Sequence, residues 1–232
     1  MNIKRVSLAH IRSAILARLF PVVFRRVRCP GLVRLGNKYG GWWVQAAALD
    51  RSSVCYCVGV GEDASFDLNL VTHFDCRVIS MDPTPRAVAY MKALNVPQTL
   101  TFLPVGVAGA NREARFYKPR DPTHASYSMA NLQQTQAFVL APVRTLASLM
   151  KDLGHEAIDL LKLDIEGAEY EVLDSLHRDG IYPRTLCVEF DQPHPVLDTW
   201  RTVRRLRRVG YEPVMVDGFN CTFVRTPSME AR

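Results

Sequence analysis

The sequence predicts an α/β fold built on a mostly parallel, Rossmann-like sheet, and three stretches carry the prediction. Ser53 to Val60 is an apolar strand that meets a glycine turn, Gly61-Glu62-Asp63, and then a helix through Leu68, Leu70, Val71 and Phe74. Arg77 to Met81 is a second strand and ends on Asp82. Ile158 to Leu163 is a third apolar run, and it enters a helix through Asp164-Ile165-Glu166-Gly167-Ala168-Glu169. Strands that alternate with helices assemble into parallel sheets with the helices on their faces.

The remaining elements follow in order. In residues 1 to 24, Leu8, Ile11, Ile15 and Leu19 form a helical stripe flanked by Arg12 and Arg18 and ended by Pro21. A membrane-surface helix, an organelle transit peptide and a helix docked on the rest of the chain all fit this stripe; helical spacing favours docking. A transmembrane span is excluded, because Arg18 and Pro21 interrupt the run short of the ~20 apolar residues a bilayer needs. Asn37 to Val44 reads as a turn and then a bulky patch in which Trp42 and Trp43 cover a sheet edge or anchor the extension. Ala87 to Leu94 reads as a helix and Thr99 to Val107 as one strand; Ala114 to Tyr117 adds a short strand. Polar residues dominate Pro119 to Gln136, which predicts a loop or lid; His124 within it reads as solvated. Phe138 to Val143 is a strand, Thr145 to Leu153 a helix, and Thr185 to Asp191 a strand with Glu189 near its carboxyl end and His194 just beyond. Val196 to Val209 is an arginine-rich helix whose basic face reads as solvated, so no nucleic acid is expected. Pro213 to Val216 and Cys221 to Val224 flank Asp217-Gly218-Phe219-Asn220, a hairpin signal that makes the sheet mixed.

Length and composition set the outer limits. The 232 residues suit a basic extension over 1–50 and one α/β domain over 51–232, and 48% hydrophobic content can furnish its core. The formal charge is +6, yet nine basic residues and no acid precede Asp50, so the remainder carries 6 − 9 = −3. The basic balance therefore belongs to the extension. The six cysteines have neither a zinc spacing nor the pattern of a small secreted framework, which points to reduced thiols and a cytoplasmic protein.

Ligands of open α/β sheets bind outside the carboxyl ends of the strands. Gly59 and Gly61 let a ligand approach the backbone, and Asp82, 23 residues after Gly59, stands where an acid grips a ribose diol. Gly59-Val60-Gly61-Glu62-Asp63-Ala64 formally satisfies a dinucleotide pattern, so an NAD-dependent oxidoreductase is one reading. Glu62 and Asp63, however, put two carboxylates where a pyrophosphate would sit. S-adenosylmethionine has no phosphate and carries a sulfonium and an ammonium, and an acidic loop suits it better. Asp164 needs a partner to stay charged at a strand end. Glu169 and Glu171 read as complements to the helix dipole.

Val58-Gly59-Val60-Gly61, Asp82, Val143-Arg144-Thr145-Leu146 and above all Lys162-Leu163-Asp164-Ile165-Glu166-Gly167-Ala168-Glu169 resemble the FkbM family of S-adenosylmethionine-dependent methyltransferases over about residues 53 to 225. The resemblance implies a class I methyltransferase sheet, seven-stranded with the last strand antiparallel, here with an amino-terminal helical extension. It further implies O-methylation of a sugar or other small-molecule hydroxyl acceptor. The family's aspartate before the first glycine pair is absent here, where the chain reads Cys57-Val58-Gly59, and Glu62 is its candidate substitute. On this reading Gly59, Gly61, Glu62, Asp82, Gly106, Val107 and Asp164 hold the cofactor. Asp164 and Glu166 are the first candidates for a base, with Glu189 and His194 behind them. No metal is expected, although Asp164, Glu189 and Asp191 are hard-oxygen donors. A catalytically inactive nucleotide-binding module is the remaining alternative, and residues 1–24 are the candidate membrane contact.

Overall fold

The computed structural model describes residues 24, 26–190 and 196–226. The expected amino-terminal helix, Asp191 and His194 lie outside the described residues.

A hairpin of β1 (Leu32–Leu35) and β2 (Trp42–Gln45) leads into β3 (Val54–Val58), α1 (Ser65–Phe74), β4 (Arg77–Met81), α2 (Pro85–Ala93) and β5 (Leu100–Leu103). Three strands follow, β6 (Gly106–Val107), β7 (Arg112–Tyr117) and β8 (Phe138–Arg144). Alternation then resumes with α3 (Leu146–Leu153), β9 (Leu160–Leu163), α4 (Glu169–Asp179), β10 (Thr185–Glu189) and α5 (Val196–Arg208), and closes with β11 (Tyr211–Asp217) and β12 (Asn220–Arg225).

Seven strands form the main sheet in the order β5-β4-β3-β9-β10-β12-β11. Five of them pair in parallel, and β12 runs antiparallel to both β10 and β11. The order reverses at β3, which lies between β4 and β9. Chain segments leaving β3 and β9 diverge to opposite faces at such a point and open a crevice at the carboxyl ends.

The central strands are buried on both faces, so they read as continuous apolar runs. Tyr56, Val58, Leu161, Leu163 and Val188 point into one layer with α3, α4 and α5. Cys55, Cys57, Leu160 and Cys187 point into the other, with α1 and the β1–β2 hairpin, so Cys55 and Cys57 share a face as their spacing predicts.

One expectation needs correction and two are made specific. Of the two roles expected for Trp42 and Trp43, the structure shows the anchoring of the extension and not the covering of a sheet edge: β2 lies across the face of β10 and β12, where Trp42 is buried and the Trp43 carbonyl accepts the Thr222 hydroxyl at 2.7 Å. Thr99 to Val107 is not one strand. Pro104 has no N–H for a ladder, so β5 stops at Leu103 and the chain turns into β6. The strand expected at Phe138 to Val143 is present as β8, and it joins a small sheet, β6-β8-β7, rather than the main one.

Because Trp42 is only 2% exposed and fills the layer between hairpin and sheet, Trp42→Ala is expected to cost about 3–5 kcal/mol in urea denaturation, with the unfolding slope unchanged.

Candidate active site

Lys162 is the one charged residue in β9, flanked by Leu161 and Leu163, and is 5% exposed. A buried ammonium needs partners. Its Nζ donates to the Gly59 carbonyl at 2.8 Å and lies 3.1 Å from Asp164 Oδ2. Burial works against the charge, but the carboxylates of Asp164 and Asp67 outweigh it and push the Lys162 pKa above its usual value. Burial likewise disfavours charge on Asp164; Lys162, with a hydrogen bond shared with Glu189, outweighs that and holds Asp164 below the usual carboxylate range. Glu189, the last residue of β10, therefore stands beside Asp164 and is not among the residues that line the cleft.

The turn after β9 is tight and internally held. Glu166 and Gly167 have φ of 56° and 105°. Glu169, fully buried, reaches back and accepts the N–H groups of Ile165 at 2.9 Å and Gly167 at 3.0 Å. Burial raises its pKa to about 7. It is a staple for the turn, and Glu171 ties α4 to the β6–β7 loop through Arg112 at 3.0 Å and the Gly109 N–H at 3.0 Å. Neither is merely a complement to the helix dipole.

The glycine loop after β3 is fastened to this turn. Gly59 has φ +82°, and a Cβ there would sit 1.7 Å from the Asp164 carbonyl oxygen. Glycine is required at this position by the crossing of two loops, before any ligand is considered. Gly61 is different. Its φ is +54°, a Cβ would meet nothing within 4 Å, and its N–H donates to Asp82 Oδ2 at 2.9 Å. The other oxygen of Asp82 accepts the Thr84 N–H at 2.8 Å and its hydroxyl at 2.7 Å. A carboxylate has about four acceptor sites, so Asp82 retains capacity for a ligand hydroxyl.

These segments enclose a cleft of about 180 Å³ at the switch point. Gly59, Gly61, Asp82, Gly106, Val107, Asp164 and Glu166 all line it. Its roof is the polar loop after β7, which contributes Ala125, Ser126, Tyr127 and Met129. Ser126 hydrogen-bonds the Glu166 carboxylate, and the Ser128 hydroxyl donates to the Glu166 carbonyl at 2.6 Å. Burial raises the Glu166 pKa, and the Ser126 bond only partly opposes it. Glu62 does not reach the cleft. It pairs with Arg86, which also donates to the carbonyls of Pro122 and His124 at 2.8 Å, so α2 latches the roof from outside. His124 is exposed, 3.9 Å from Asp121, as its loop position predicts.

Lys162 belongs to the Lys162–Glu169 motif, whose sequence gives it no role by itself. A single charge inside an apolar strand was the available signal, since lysine is almost never buried unpaired. Ser126, Tyr127, Met129 and Phe116 carry no local signal, because only the folded chain brings them to the cleft, and Arg86 none for its grip on the outside of the roof.

Sheet order and cleft position together define a Rossmann-like α/β protein with a cleft at the switch point. A family model described as the Methyltransferase FkbM domain matches residues 53–213, and the chain belongs to that family: it is a methyltransferase. No curated protein matches the sequence. Among solved structures, a Methanococcus jannaschii fibrillarin pre-rRNA processing protein is similar at 10% identity, covering 84% of this chain and 83% of that one, with a TM-score of 0.43.

The two glycines should separate in mutation. Gly59→Ala, which drives a Cβ into backbone, is expected to unfold the protein or cost at least about 4 kcal/mol, whereas Gly61→Ala pays only the left-handed strain of ~1–2 kcal/mol; thermal melting compares them. Asp67 gives a pH signature. It accepts the Ser80 hydroxyl while fully buried, and burial raises its pKa to about 6. The folded state therefore binds more protons than the unfolded chain between the ordinary carboxylate range and pH 6, and stability falls as pH rises through that window. Asp67→Asn is expected to flatten this fall by up to roughly 3 kcal/mol in urea titrations at successive pH values, leaving the residual slope of Glu169.

Proposed function

We propose that the protein is an S-adenosylmethionine-dependent O-methyltransferase acting on a hydroxyl of a small molecule such as a sugar or other secondary metabolite. The observation that carries this reading is the charge of the cleft: Asp82, Asp164 and Glu166 line it, and no lysine, arginine or histidine does among the described residues. A pyrophosphate there would face Asp82 and Glu166, together with an Asp164 whose charge Lys162 already offsets from within the sheet, and would find no cationic side chain in the lining to pair with; a dinucleotide is therefore disfavoured, while a phosphate-free cation is favoured.

The residues present fit that cofactor. Gly106, Val107, Phe116 and Met129 offer an apolar wall for an adenine, Asp82 an acceptor for ribose hydroxyls, and Gly61 an unobstructed backbone. Asp164 and Glu166 supply charge opposite to an ammonium and a sulfonium. When bound, S-adenosylmethionine supplies an electrophilic methyl group.

The protein's own contribution divides between two acids. Asp164 is neutralised by Lys162 and has a lowered pKa, which makes it a poor base and a good anchor. Glu166 has a raised pKa and is open to the cleft, so it is the better acceptor for the proton of an attacking hydroxyl. Ser126 orients its carboxylate, and Tyr127 and Met129 line the roof beside it. Alignment of acceptor and methyl carbon within the cleft supplies the larger part of the rate.

Titration calorimetry is expected to show binding of S-adenosylhomocysteine and none of NAD; the reverse result overturns the reading. With an acceptor found by a methyl-transfer screen of hydroxylated metabolites, Glu166→Gln should lower kcat by about 10²–10⁴ while product-cofactor affinity stays within a few-fold. Asp164→Asn should weaken that affinity instead. Wild-type turnover in both variants would remove the assignment of the base.

A further inference from the structure

The outer face of α5 has no role in the cleft, and its composition is unusual. Thr199, Thr202, Val203 and Leu206 are buried, which turns Trp200, Arg201, Arg204 and Arg208 outward. Trp200, Arg204 and Arg208 succeed one another at four-residue spacing along one stripe. Trp200 is 44% exposed, and the Arg204 guanidinium stacks over its ring at 5.4 Å. Arg201, Arg205 and Arg207 are neutralised by Asp198, Asp174 and Glu212. Arg204 and Arg208 have no carboxylate partner among the described residues.

The segment entering the domain runs beside β11 but does not continue this face. Phe24 is buried in the same apolar layer as Val203 and Leu206, and the Val27 N–H donates to the Pro213 carbonyl of β11 at 2.9 Å. Arg26, however, reaches the Met215 sulfur at 3.7 Å, and Met215 is paired with Thr222, whose hydroxyl bonds the Trp43 carbonyl on the hairpin side of the sheet, opposite α5.

We propose that the outer face of α5 forms a docking surface for an anionic phospholipid bilayer. Arg204 and Arg208, without counter-charges among the described residues, match lipid phosphates, and guanidinium groups bind phosphate in a planar, two-point fashion. Trp200, beside them on the same stripe, is the apolar group that such a surface buries at headgroup depth, where tryptophan concentrates. Single-stranded nucleic acid would need successive stacking rings, whereas this face has one aromatic, already covered by Arg204.

The test uses the full chain and vesicles of phosphatidylcholine, with or without one-third phosphatidylglycerol. The protein is expected to sediment with the anionic vesicles alone, and salt should release it. Of its three tryptophans, Trp42 is buried and Trp43 half-buried, so vesicle binding should shift Trp200 emission to the blue and Trp200→Phe should abolish the shift. Arg204→Glu with Arg208→Glu should weaken binding about tenfold or more, while Arg51→Glu, at an exposed site elsewhere, should not. Thermal melting checks that the variants fold. Failure to bind anionic vesicles, undiminished binding by the double variant, a blue shift that survives Trp200→Phe, or tighter binding to an RNA oligonucleotide than to vesicles each overturns the proposal.

Discussion

The ammonium of Lys162 is the interaction on which the rest of the site depends. It is held inside the sheet, and from there it joins the carbonyl of the glycine loop to the carboxylate of the acidic turn. Two loops that leave adjacent parallel strands are thereby kept within hydrogen-bonding distance of one side chain. The absence of a Cβ at Gly59 permits the approach, and the pair of opposite charges makes it favourable. Neither charge would be tolerable alone at that depth, because an unpaired buried ion costs several kcal/mol.

Around this pair the carboxylates divide by environment. Asp67 and Glu169 are sealed in protein, bonded to Ser80 and to backbone N–H groups, and burial raises both. Asp164 is held low by its lysine. Glu166 alone combines a raised proton affinity with a place in the cleft wall, on a backbone turned to positive φ by the staple from Glu169. The roof is bonded to the same turn through Ser126 and Ser128 and to α2 through Arg86. Acid, roof and glycine loop therefore form one connected structure.

Much of this was legible in the chain. The main-sheet strands β3, β4, β9 and β10, the closing hairpin and the polar loop are local patterns, and local spacing reports them well. So did the grouping of Gly59, Gly61, Asp82, Asp164 and Glu166, since all stand at carboxyl ends of strands that alternate with helices. Glu62 was misplaced: its position beside Gly61 gave no hint that Arg86, well along the chain, would draw it outward. Glu169 looked like a helix-dipole residue because its partners are backbone groups that exist only once the turn has formed. The strand at Phe138 carried no mark of the sheet it would join, since pairing partners are not encoded by periodicity.

The sequence by itself determined the alternating α/β architecture, the acidic character of the turn and the family motif, because these rest on residue type and short-range spacing. Tertiary structure decided which carboxylate faces the cleft, which is neutralised and which serves as a staple. Those roles depend on burial and on partners distant in sequence, such as Lys162 for Asp164 and Ser126 for Glu166, and proton affinity is set by such surroundings rather than by residue identity.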